Sequence, residues 1–153
     1  MPKEQLKKDL ILPWIFTGAM LMLVAGYVFI CLYYDQAIRL NEQAKPPVLM
    51  RSILYIIAIL TFPLINLIRH IMLRLNQTMP GDTPARIRYL TTVLVSLSLA
   101  ESLGIYGLVL FLLGDEVNSL YIFSLLAVLA MVLYRPKERE YIEIVDALNN
   151  RKS

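Results

Sequence analysis

The sequence predicts an all-α integral membrane protein: a four-helix transmembrane bundle with both termini cytoplasmic and an amphipathic C-terminal helix. Three observations carry that reading. Hydrophobic residues make up 58% of the 153 positions, above the roughly 45–50% of globular proteins, and the mean hydropathy is +0.59. The apolar residues gather into four runs, at 11–34, 48–73, 89–114 and 120–134. The lysines and arginines flank those runs instead of forming one patch. The basic pI of about 9.0 therefore fits membrane-flanking charge and excludes a nucleic-acid partner.

Residues 11–34 carry no charge, with Trp14 at one end and Tyr33 and Tyr34 at the other, where amphipathic rings favour the membrane interface. Pro13 falls in the expected first turn, where its missing N–H costs little. Gly18, Ala25 and Gly26 form a small-residue seam suited to close helix packing. No small-residue cleavage site closes the run, so it is expected to be a retained helix and not a signal peptide. Cys31 is the single cysteine, which excludes an internal disulfide and reads as a packing residue.

Residues 35–47 form a polar linker closed by Pro46 and Pro47. In the run 48–73, Pro63 predicts a kink. Asn66 is its only amide, and Arg69, His70 and Arg74 stand at its end, placed to reach headgroups. Pro80, Gly81 and Pro84 then break any continuous helix.

The run 89–114 organises the chain. At ~1.5 Å per residue its 26 positions rise ~39 Å, enough to cross a hydrocarbon core of roughly 30 Å. The acidic turn 114–119 is short enough to make the next helix antiparallel. That helix, 120–134, is the shortest and spans only with extended ends or a locally thinned bilayer. In the tail, 137–153, Tyr141, Val145 and Leu148 recur at helical spacing among charges, the pattern of an amphipathic helix lying on membrane or partner. With the N-terminus inside, only Arg39, Lys45 and Arg51 of the 15 basic residues fall outside, which sets both termini in the cytoplasm.

The chemistry-bearing residues are few. One histidine, no phosphate-binding glycine loop and no Cys/His metal spacing leave no enzyme active site and no cofactor site to expect. Glu101 stands out as the one carboxylate in the run 89–114, almost at its midpoint. A charge at that depth costs roughly 2.5–3.5 kcal/mol on insertion scales, so such a residue marks a functional or structural site. Ser98 and Gly104 lie three residues either side of it, and Ser96, Ala100, Gly104 and Gly107 make an adjacent small-residue ridge. Asn66, roughly 7 Å from the middle of its helix at ~1.5 Å per residue, and Arg69 one turn further are the expected in-chain partners; Thr17, Tyr27 and Tyr106 are further candidates.

The string Ala100-Glu101-Ser102-Leu103-Gly104-Ile105-Tyr106-Gly107-Leu108-Val109 resembles the carboxylate helix of the c-type rotor-ring subunits of rotary ATPases. That resemblance implies an H+- or Na+-binding role for Glu101. The whole chain, with its Arg135-Pro136-Lys137-Glu138-Arg139-Glu140-Tyr141 run, also resembles small bacterial four-helix membrane proteins, which implies the cytoplasmic (inner) membrane. Two functions are expected. The first is a non-catalytic subunit or assembly factor of a larger membrane complex, bioenergetic in kind, whose partners are the lipid bilayer and other membrane subunits. The second is H+ or Na+ handling through Glu101.

Overall fold

A computed structural model describes residues 3–34, 48–80 and 83–150. Among the described residues all regular structure is helical: α1 (Lys3–Tyr33), α2 (Val48–Thr78), α3 (Ala85–Leu112), α4 (Val117–Leu133) and α5 (Glu138–Asn149). The expectations for 35–47, for the 81–82 turn and for 151–153 lie outside the described residues. So do Arg39, Lys45, Arg51's two companions in the outward charge set, and Arg151 and Lys152.

Three helices, α1, α2 and α3, are long and apolar enough to cross a membrane. With 17 residues, α4 rises only ~25 Å at ~1.5 Å per residue. It reaches spanning length only together with α5, from which it is bent by 46°. Helix propagates into polar flanks more readily than it nucleates, so α1 starts at Lys3 instead of position 11. Pro13 therefore lies inside the helix and not in its first turn, and it deprives the Asp9 carbonyl of its usual N–H partner. The Thr17 hydroxyl folds back onto the Pro13 carbonyl at 2.9 Å. Likewise α2 runs through Pro63 as one helix.

Gly114 closes α3. Its φ of 91° lies in the left-handed region, and the Gly114 and Asp115 amides donate to the Phe111 and Leu110 carbonyls, both at 3.0 Å. That is the Schellman arrangement, which satisfies the last carbonyls and reverses the chain into α4.

The core is built around α3. Half of its apolar window is buried, against 17% for α1 and α2, and it touches all four other helices. Val93, Leu97, Ala100, Leu103 and Leu110 of α3 pack with Phe123, Ala127 and Met131 of α4. In lipid the hydrophobic effect does not hold helices together; close van der Waals packing does. Gly107 permits it, since a Cβ there would stand 2.6 Å from the Phe123 Cβ. Gly18 and Gly26 do not: a Cβ at either would have nothing within 4 Å. The small-residue seam expected on α1 is thus not a packing face among the described residues. The helix meets the others through Leu10, Thr17, Val24 and Cys31 instead.

The tail turns back onto the protein's own helices. Tyr141 and Ile144 of α5 are buried, with Val145 and Leu148 packed beside them, against α2 and α3. The apolar stripe expected for a membrane or a partner is occupied from within.

Candidate functional site

Glu101 is held in α3 with 6% of its surface exposed, and among the described residues neither carboxyl oxygen finds a hydrogen-bond partner. The surrounding geometry follows from a glycine three residues on. At Gly104 a Cβ would collide with the Tyr27 hydroxyl and would stand 3.4 Å from the Ala127 Cβ. The missing side chain opens a notch between α3 and α4, and Tyr27 of α1 threads its phenol into it. There Tyr27 lies beside Ser124 of α4 and within the electrostatic reach of Glu101.

Three helices therefore each contribute one oxygen-bearing side chain to a single place: Tyr27, Glu101 and Ser124. The Tyr27 hydroxyl and the Ser124 hydroxyl, side by side, are buried like the carboxyl, and neither makes a hydrogen bond of good geometry among the described residues. Each buried polar group left without a partner costs roughly 1–3 kcal/mol, more if charged, and native proteins satisfy nearly all of them. One carboxyl and two hydroxyls form a donor–acceptor set of oxygens alone. Such a set suits a proton shared among them, an ordered water, or a hard monovalent cation. Among the described residues no group of three His, Cys, Asp or Glu side chains comes together.

The other expected residues lie elsewhere. Ser98 is exposed on the outer side of α3, and Asn66 is exposed on α2. The inward face of α2 is Ala58, Thr61, Ile65 and Arg69; Asn66 is one residue, and so about 100° of helix rotation, past Ile65. Arg69 is buried in the second half of α2, nine residues before its end at Thr78, and turns away from Glu101. It pairs with Glu140 at 2.6 Å and donates to the carbonyls of Tyr134 and Arg135 at 2.8 and 3.3 Å. Ala100 is fully buried, and Gly104 and Gly107 are the two close-approach positions. Thr17 is spent on the Pro13 carbonyl, and Tyr106 packs edge-on against Phe123. Ser124 was not singled out from sequence, because a lone serine in an apolar run is a weak signal. Its spacing to Ala127 and Ala130, a small-residue face, was the available clue.

A second polar network closes the end of the bundle that carries α5. The Tyr89 hydroxyl accepts from the Lys137 amide at 2.7 Å and lies 3.3 Å from Glu140 Oε2. The Tyr141 hydroxyl donates to Asp9 Oδ2 at 2.9 Å. Burial, then the Asp9 carboxylate, pushes Tyr141 up to about 12 from an ordinary value of 10.0. Arg88 binds the Met79 and Thr83 carbonyls at 2.9 and 3.0 Å, and Asn76 donates to Thr92 at 2.7 Å, stapling α2 to α3. At the opposite end Arg51 pairs with Asp115 at 3.4 Å and donates to Ser119 at 3.3 Å.

Comparison of the chain with known protein families, with curated proteins and with solved structures finds no match.

Proposed function

We propose that this chain is a non-catalytic subunit or assembly factor of a larger membrane complex, a four-helix membrane bundle with both termini on the cytoplasmic side. The observation that carries the subunit reading is the outward position of Asn66 and Ser98 within the spanning parts of α2 and α3. An amide facing lipid lacks hydrogen-bond partners, whereas against another transmembrane helix it gains them. Around it the exposed face of α2 is apolar, with Ile56, Ile59, Leu60, Leu67 and Ile71. The bond from Tyr141 to Asp9 supports the topology, because it brings the start of α1 and the tail to one end. That end also holds Lys7, Lys8, Arg86 and Arg139, as positive-inside orientation requires. The bacterial inner membrane is the compartment this reading implies.

The test is the assembly state in mild detergent. The wild-type chain should run in a complex with other membrane proteins, and Asn66→Leu with Ser98→Leu should release it as a folded 17.5 kDa chain. A wild-type chain that runs alone or only with its own copies overturns the subunit reading.

A second reading, H+ or Na+ handling, draws support from the buried oxygens of Glu101, Tyr27 and Ser124. It expects a hydrophobic carbodiimide to modify Glu101 in the membrane, with protection by Na+ if the bound ion is a cation. No modification in wild type, with Glu101→Gln as the blank, refutes it.

A further inference from the structure

At the end of the molecule that carries α5, a groove of about 470 Å³ opens between α1 and the start of α5, lined by Lys7, Leu10, Ile11, Trp14, Ile15 and Glu138. Four of the six are apolar and follow one another along α1. The two charged ones, Lys7 on α1 and Glu138 on α5, are of opposite sign, are exposed, and have no ion-pair partner among the described residues. From Lys7 to Ile15 the helix rises ~12 Å at ~1.5 Å per residue. The polar zone on one side of a bilayer is only roughly 5–8 Å deep. With Lys7 at headgroup level, Ile15 therefore lies among acyl chains and Trp14 near the boundary, where tryptophan favours residence.

We propose that this groove binds one molecule of phosphatidylethanolamine. Its phosphate meets the Lys7 ammonium, its own ammonium meets the Glu138 carboxylate, and one acyl chain lies along Leu10, Ile11, Trp14 and Ile15. The pair of opposite charges selects the headgroup. An anionic phospholipid such as phosphatidylglycerol satisfies Lys7 but offers Glu138 only neutral hydroxyls, which leave its charge unbalanced. The quaternary ammonium of phosphatidylcholine has no N–H to donate to a carboxylate, so it forgoes the charge-assisted hydrogen bond. The groove lies at the surface, apart from the Glu101 cluster, and the inference stands independently of either functional reading.

The protein contains its own probe, since Trp14 is its only tryptophan. The full chain is reconstituted in phosphatidylcholine vesicles doped with phosphatidylethanolamine, phosphatidylglycerol or phosphatidylcholine carrying brominated acyl chains, which quench a tryptophan they touch. Brominated phosphatidylethanolamine should quench Trp14 at about tenfold lower mole fraction than the other two, the worth of one charge-assisted hydrogen bond. Lys7→Gln and Glu138→Gln, both at exposed positions, should each abolish that preference while the helical circular dichroism stays unchanged. Equal quenching by the three lipids, a preference for phosphatidylglycerol, or a phosphatidylethanolamine preference that survives both substitutions overturns the proposal.

Discussion

Arg69 of α2 and Glu140 of α5 meet at 2.6 Å, the arginine only 4% exposed and the glutamate 17%. The guanidinium also donates to the Tyr134 and Arg135 carbonyls, so it ties down both the end of α4 and the start of α5. A buried cation whose carboxylate is removed keeps its desolvation cost without compensation, and so does the reverse. Arg69→Met should therefore destabilise the docked tail by about 3 kcal/mol. Limited proteolysis within 137–150 should become rapid, and Glu140→Gln, which leaves the buried guanidinium charged without its carboxylate, should expose the tail as well. Unchanged tail protection in Arg69→Met rules out the clamp.

Gly104 and Gly18 make opposite predictions from the same chemical change. At Gly104 a methyl collides with the Tyr27 hydroxyl, and overpacking of this kind costs about 1–3 kcal/mol. At Gly18 the space is open, so alanine should gain up to about 1 kcal/mol from the helix propensity of a residue with less freedom to lose. Thermal unfolding in detergent distinguishes them. Adding Tyr27→Phe to Gly104→Ala should recover part of the loss, because the colliding oxygen is gone.

Tyr141 sets an alkaline limit on tail docking. Its folded value is raised to about 12 from 10.0, by burial first and then by Asp9. The folded state thus holds the phenol proton more tightly than the unfolded chain does. Its contribution is fully present below pH 10 and is lost as pH rises through about 12. Protection of the tail should fall across that window in wild type, and the step should be absent in Tyr141→Phe. At neutral pH that variant should lose about 0.5–1.5 kcal/mol, the worth of one hydrogen bond.

Side-specific labelling tests the topology. In a Cys31→Ala background, Lys8→Cys and Arg139→Cys should react with a membrane-impermeant maleimide from the same side. Asn118→Cys, exposed in the first turn of α4, should react only from the other. Labelling of Lys8→Cys and Arg139→Cys from opposite sides contradicts the shared end defined by Asp9 and Tyr141.

Hydropathy and charge spacing made the all-helical membrane character legible, along with the position of Glu101 in the most enclosed helix. These are local properties, written in runs of consecutive residues. Helix ends were read less well, because polar residues such as Lys7, Lys8 and Asp9 extend a helix that apolar content alone starts at position 11. The stop at Gly114 was legible because only a glycine adopts that φ without strain.

What meets what was decided by the tertiary structure. Arg69 is 71 positions from Glu140 and was expected to reach Glu101. Its pairing depends on the 46° turn between α4 and α5, which no periodicity records. Tyr27 was one of several candidates for Glu101, and Ser124 was not among them. Their convergence requires α1, α3 and α4 to pack in one particular rotation, selected by the missing side chain of Gly104. The sequence by itself determined that a membrane helix carries a costly carboxyl; the rotation of the helices about their axes determined that its neighbours are two hydroxyls and not a cation. Rotation is fixed by packing between residues far apart in the chain, and a one-dimensional pattern holds hydropathy but not that contact.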